Sequence, residues 1–442
     1  MLTLALLAGA LLPSLALASK APRSGSGIVR SSVTAKRPAS NLTRRDIASL
    51  ARRQDDVTVT NQKGGTSYTI DVDIGTPAQT ITLILDTGSS DLWVNPTCSE
   101  SGQIDYCNSF PQFDYTESST IEDTGYADIL GYGKGNVTIE YVTDMVTIGS
   151  VTIENQVFGV GFESYDIPLG IIGLSPPTSD AQTQYSFVLD SMVTQGLIDS
   201  RAFTLDLRNI DDKDGSVIFG GLDTGKFIGS LEKCPILDPL ETPDGADRYW
   251  INMNSIAITL PDGTTTTLGT GDQPVFLDSG GTLTRLPTEV FEAIGESFPG
   301  AEYDSSSGFY VVDCSVADVK GSVDFGFGNK VIQVLYADFI WEVPGDEVCV
   351  LGVLAGDDAP VLGDSFLRAA YVVYDQDNRN LHLAQADDCG DNLVAISTGA
   401  NAVPSVTGKC TSTAPTATKT GESPPNLSLW YRRHRLPHGQ PP

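Results

Sequence analysis

Apolar and polar side chains alternate from Ser67 to Ile74, with Tyr68, Ile70, Val72 and Ile74 on one face. A period of two marks a half-buried strand. Gly75-Thr76-Pro77 interrupts the run, and a second one, Ile81, Leu83 and Leu85, follows, so the spacing predicts a β-hairpin. Residues 127–131 and 137–142 flank a glycine-rich stretch, Gly131-Tyr132-Gly133-Lys134-Gly135, which reads as a hairpin tip able to bend over a cleft. Helical spacing is rarer. Tyr185, Val188, Leu189, Met192 and Val193 recur on one face until Gly196, and a second short helix is expected over residues 288–298, after Pro287. The pattern is that of a mostly β body with a few short helices.

The run Ile81, Leu83, Leu85 ends on Asp86-Thr87-Gly88-Ser89-Ser90. A carboxylate at the mouth of a core is costly unless hydrogen bonds hold it, and here Thr87 offers a hydroxyl while Gly88 lets the backbone turn so that N–H groups face the acid. The arrangement recurs in Pro274-Val275-Phe276-Leu277 followed by Asp278-Ser279-Gly280-Gly281, 192 positions later. Each copy has a second element, Gly170-Ile171-Ile172-Gly173 and Pro360-Val361-Leu362-Gly363, whose last glycines are 190 positions apart. Two separate motifs repeating at nearly one offset indicate a duplicated unit. Asp-[Ser/Thr]-Gly also occurs at Asp123 and Asp223, but the first follows a polar stretch and the second follows Gly220-Gly221, so both read as ordinary turns. Asp86 and Asp278 are therefore the candidate catalytic pair: two adjacent carboxyls cannot both ionise cheaply, so they share a proton and can activate a water molecule.

Composition changes the picture at the ends of the chain. Of 442 residues, 40% are apolar, enough for two domains with real cores. Residues 1–18 are almost wholly apolar and end in Ala16-Leu17-Ala18, the form of a secretory signal peptide, although no basic residue opens it. No other stretch is long and apolar enough for a membrane span. Residues 19–53 hold nine Lys/Arg and one acid, with paired bases at Arg44-Arg45 and Arg52-Arg53. Such a tract can be a solvated or nucleic-acid-binding arm. Behind a signal peptide it reads as a pro-segment removed before Gln54, because residues 54–400 carry 54 acids against 13 bases and would hold it by charge until acidification. The acidic body argues against nucleic acid as a partner. The expected divisions are a lobe at 54–235, a Pro/Asp/Gly-rich linker at 236–249, a second lobe at 250–390 and a Ser/Thr/Pro-rich stalk at 391–442.

These motifs resemble the pepsin-like aspartic peptidases over about residues 67–386, and more narrowly the fungal secreted branch that includes candidapepsins and yapsins. Asp86-Thr87-Gly88-Ser89-Ser90-Asp91-Leu92-Trp93-Val94 is close to that family's first active-site signature, and Phe219-Gly220-Gly221-Leu222-Asp223 is another family segment. The resemblance implies a bilobal fold of two related β-barrel-like domains around a cleft, and a secreted aspartic endopeptidase active at acid pH. It casts Thr87 and Ser279 as clasping the two loops, Ser89 as bonding Asp86, and Tyr132, Gly133 and Lys134 as the substrate-covering flap, with Trp93 supporting the tyrosine. Two departures stand out. Gly281 replaces a usual hydroxyl beside the second aspartate, and Lys134 replaces a small or acidic flap residue. They keep open a catalytically impaired homologue that binds peptides or inhibitors; a non-enzymatic cell-surface β-protein is a further alternative.

The resemblance also implies a bridge from Cys314 to Cys349. Cys98 and Cys107 enclose a short loop that a bridge would close, and Cys234 is a candidate partner for Cys389, leaving Cys410 over. His382, His434 and His438 lie far from the motifs, so neither a metal nor another cofactor is expected. Expected partners are polypeptide substrate, the chain's own pro-segment and pepsin-type inhibitors, around a monomer. The chain is expected outside the cell, with cell wall or vacuole as alternatives, and the end Trp430–Arg435 argues against a lipid anchor. Asn426 is the expected glycosylation site; Asn136 is expected to stay unoccupied, because a glycan there would crowd the cleft.

Overall fold

The computed structural model describes residues 27–36, 67–133, 135–177, 185–208, 214–343 and 348–411. The alternating run at 67–74 forms β2, Ser67–Ile74, and its four apolar side chains are buried to within 1%. It pairs antiparallel with β3, Gln79–Asp86, whose Leu83 and Leu85 enter the same core. Preceding them is β1, Val29–Lys36, buried through Val29 and Val33.

What sets Asp86 in place is the next pairing. Strand β3 runs parallel to a later strand, Gly170–Gly173, with Asp86 opposite Gly173, and that strand pairs antiparallel with β4, Leu92–Val94. The second half repeats this: Thr265–Leu277 runs parallel to Val361–Leu362, which pairs antiparallel with Thr284–Leu286. In each copy a chain crosses within van der Waals contact of the glycine. A Cβ on Gly173 would lie 2.5 Å from the Ser90 carbonyl carbon, and one on Gly363 would lie 2.4 Å from the Gly281 carbonyl oxygen. Side chains are excluded there by space.

β5, Glu122–Gly131, and β6, Asn136–Ile148, form the glycine-tipped hairpin, and β7, Val151–Tyr165, lies on the other side of β6. β8 is Gly170–Gly173, and β9, Ala202–Asp206, pairs with β10, Asp214–Phe219. The two halves share one sheet, because Ala370–Asp375 pairs with β9 while β10 pairs with β1. The fold is thus mostly β, with two copies of one strand motif facing each other. The two expected helices span Val188–Thr194 and Thr288–Ser297, and both bury their apolar stripe. No helix among the described residues is long and apolar enough to cross a membrane.

Three expectations change. The basic tract at 19–53 is not held by charge alone. Its described part is β1, inserted between β10 and β2 with Val29 opposite Phe219; Arg30 adds ion pairs to Asp391 at 3.1 Å and Asp223 at 3.6 Å. After Gly390 the chain does not leave as a stalk: Leu393–Ala395 pairs with Gly221–Asp223, and Ile396, Ala402 and Val403 are buried as far as a bridge at Cys410. That return brings Cys410 to Cys389, and these two form the disulfide, whereas Cys234 is free, buried in the core. The expected pairing of Cys234 with Cys389 is thereby corrected. Cys98 is bonded to Cys107 and Cys314 to Cys349. Residues 1–18, expected to be a signal peptide, and residues 412–442, with Asn426, lie outside the described residues.

Candidate active site

Two loops that end β3 and the strand Thr265–Leu277 meet at the centre of the molecule. Each aspartate accepts a hydrogen bond from the N–H two residues on, Gly88 to Asp86 at 2.7 Å and Gly280 to Asp278 at 2.8 Å. Across the interface the clasp is reciprocal. The Thr87 hydroxyl donates to the Leu277 carbonyl at 3.1 Å and accepts from the Ser279 N–H at 3.0 Å. The Ser279 hydroxyl donates to the Leu85 carbonyl at 2.8 Å and accepts from the Thr87 N–H at 3.1 Å. Four bonds between fully buried partners fix the distance between the loops.

That distance brings the carboxyls together. A Cβ on Gly88 would lie 2.7 Å from Asp278 Oδ1; one on Gly280 would lie 2.6 Å from Asp86 Oδ1 and 3.2 Å from Asp278 Oδ1. Each glycine therefore leans on the aspartate of the opposite half. The environments differ: Asp86 also accepts the Ser89 hydroxyl at 2.5 Å, whereas Asp278 is fully buried and its Oδ2 has no hydrogen-bond partner. Burial foremost, and the charge of Asp86 next, push the Asp278 carboxyl well above the usual range, opposed by the Gly280 N–H and the Arg248 guanidinium.

A family model described as eukaryotic aspartyl protease matches residues 67–386. The chain belongs to the eukaryotic aspartyl proteases. Among its relatives are the probable aspartic-type endopeptidase opsB of Aspergillus oryzae, 34% identical over 80% of this chain and 77% of that protein, and the aspartic proteinase yapsin-3 of Saccharomyces cerevisiae, 32% identical over 72% of this chain and 66% of that protein. The fold matches the crystal structure of the aspartic proteinase from Irpex lacteus, with a TM-score of 0.60 and 23% identity over 81% of this chain and 98% of that one.

In this protease the hairpin of β5 and β6 carries Tyr132 beside the tip residue Gly133, and the Tyr132 N–H donates to the Gly135 carbonyl to close the turn. Trp93 Nε1 donates to the Tyr132 hydroxyl at 2.8 Å, so the expected pair is in contact. Lys134 lies outside the described residues. Gly281 itself offers Asp278 no side chain; the acid beside it is Asp364, whose N–H donates to the Gly281 carbonyl at 2.8 Å and whose fully buried carboxyl is also pushed well above the usual range by burial.

Two features were not foreseen. Arg248, inside the segment read as a linker, donates to the Gly88 carbonyl at 2.6 Å and pairs with Asp244 at 3.0 Å. A lone arginine among Pro, Asp and Gly gives no signal of this. Asp91, five residues after Asp86, accepts hydroxyls from Tyr141 and Tyr185, and burial raises its carboxyl above the usual range; the sequence put Tyr185 on a helix face, and it instead precedes the helix to reach this acid. Among the described residues, one group has spacing for a metal, Asp387 with Cys389 and Cys410, and both sulfurs are committed to the disulfide.

Proposed function

We propose that this protease is an exported endopeptidase of acid pH that cuts polypeptides with a water molecule held between Asp86 and Asp278. Asp86, held by hydrogen bonds from the Ser89 hydroxyl and the Gly88 N–H, takes a proton from the water. Asp278, which burial favours in its neutral form, carries the shared proton and donates it toward the peptide carbonyl oxygen. The water oxygen bonds to the carbonyl carbon to give a gem-diol; the C–N bond then breaks as the amide nitrogen takes the proton held by Asp86 and a gem-diol hydroxyl returns its proton to Asp278. Tyr132, braced by Trp93, closes over the substrate. The single observation that carries this reading is the mutual approach of the two carboxyls, each limited by the other half's glycine.

Export is supported by the apolar leader at 1–18 and by three disulfides, which persist in oxidising compartments. The segment 19–53 is proposed as a pro-segment whose release requires β1 to leave its sheet. Protonating Asp391 and Asp223 would weaken the hold on Arg30 and couple release to acidification. The lobes at 54–235 and 250–390, the joining segment 236–249, a monomeric state and inhibition by pepsin-type inhibitors belong to the same proposal. The test is pH-dependent cleavage of a peptide library by the form starting at Gln54. Asp278→Asn, with an unchanged circular dichroism spectrum, is expected to abolish cleavage, and full activity of that variant overturns the mechanism.

A further inference from the structure

The flap hairpin carries a chemical feature that peptide hydrolysis does not use. β6 opens with Asn136-Val137-Thr138, the acceptor pattern for an N-glycan. Along the chain, its closeness to the glycine-rich tip sets a glycan against the cleft; the strand alternation points it elsewhere. Val137 and Ile139 are fully buried in one cluster with Trp93, Leu130 and Tyr132, on the side of the aspartates. Asn136 is exposed and Thr138 half-buried, so the amide and the hydroxyl that complete the acceptor lie on the opposite face.

That face has room and a platform. On one side Asn136 stands opposite Gly131, where even an added Cβ would meet nothing within 4 Å. On the other it stands opposite Tyr165, which is 55% exposed. Residues directly opposite in an antiparallel pair share a face with Cβ atoms about 5 Å apart, so the tyrosine ring flanks the amide where the first sugar would attach. The apolar C–H face of a pyranose packs on such a ring. Ile129, opposite Thr138 on the same face, is 67% exposed, so Tyr165 is not the face's one large apolar side chain open to a covering group.

We propose that Asn136 is an N-glycan acceptor, and that its glycan stands on the outer face of the flap, over Tyr165 and clear of the cleft. The proposal rests on the export reading, so the test separates the two. The full chain is produced in a eukaryotic secretory host twice, with its own leader and with a heterologous signal sequence, and its peptides are mapped before and after peptide-N-glycosidase F. The expected result is a glycan on the Asn136 peptide, converted to Asp by the glycosidase, lost in Asn136→Gln and Thr138→Ala and kept in Thr138→Ser. Secretion and occupancy with the heterologous signal alone support the site while overturning export by residues 1–18. Unmodified Asn136 in the secreted chain overturns the site, whatever the state of the other two acceptor patterns, Asn41 and Asn426.

Placement has its own readouts on the wild-type protein. Removing the glycan under native conditions is expected to leave kcat/KM on a short peptide unchanged and to lower the Tm, and Tyr165→Ala is expected to shrink that Tm difference. A several-fold rise in kcat/KM on deglycosylation, or a Tm difference indifferent to Tyr165→Ala, overturns the outer-face position.

Discussion

The loops that follow Asp86 and Asp278 are built alike and end differently. Both turn through a glycine whose N–H caps its own aspartate, and both donate a hydroxyl to the strand of the other half. The first loop then supplies Ser89 to the carboxylate, where the second has Gly281, and Asp278 is left more deeply buried with one oxygen unpartnered. A symmetric frame thus holds two unequal acids. Duplication provides the distance, and in the proposed mechanism the inequality assigns the shared proton to Asp278, the more deeply buried of the two.

Several changes break or sharpen that inequality. The largest effect is expected from Gly280→Ala, because the new Cβ would press on both carboxyls. Displacing a reacting group by an ångström can cost roughly 100-fold in rate, so kcat should fall at least that far; near-normal turnover would mean that the carboxyls do not act together. Ser89→Ala comes next. It removes a hydrogen bond to the Asp86 carboxyl, about 2 kcal/mol, or roughly 30-fold in kcat/KM. An unchanged kcat/KM would show that this bond does not help to hold Asp86 for the reaction.

Asp278 makes a prediction about stability. Its folded-state pKa is raised, so the folded protein binds the proton more tightly than the unfolded chain; the associated stability is present in acid and is lost as pH rises from the ordinary carboxylate range through the raised value. Asp278→Asn should therefore flatten the fall in Tm toward neutral pH, measured by calorimetry; a tenfold difference in proton affinity between the folded and unfolded chains is worth about 1.4 kcal/mol. An equally steep fall in the variant would place the proton on another group. The smallest effect is expected from Gly281→Ser. A hydroxyl donating to Asp278 lowers its pKa and should draw the alkaline limb of activity downward without loss of kcat; an unchanged limb would mean that Asp364 and its surroundings already set it.

Much of this site was legible along the chain because its parts are local. Alternation gave β2 and β3, the repeated offset paired Asp86 with Asp278, and the hairpin tip pointed to Tyr132. The Asp-x-Gly turn itself is a local structure, and all four copies form it, with Gly125 bonded to Asp123 and Gly225 to Asp223 just as at the candidate pair. What separates the candidate pair from the two ordinary turns is the partner each meets. Asp123 lies on an exposed strand, Asp223 accepts the N–H of Asn392 from 169 residues away, and only Asp86 and Asp278 meet another carboxyl.

The sequence by itself determined the strands, the four turns and the duplication, since each depends on side chains a few positions apart. Tertiary structure alone decided the insertion of β1, the return of residues 391–411 that joins Cys389 to Cys410, and the reach of Arg248 to Gly88. A vacant sheet edge, a nearby thiol or an opposing strand is created by segments distant in the chain, and no local pattern encodes it.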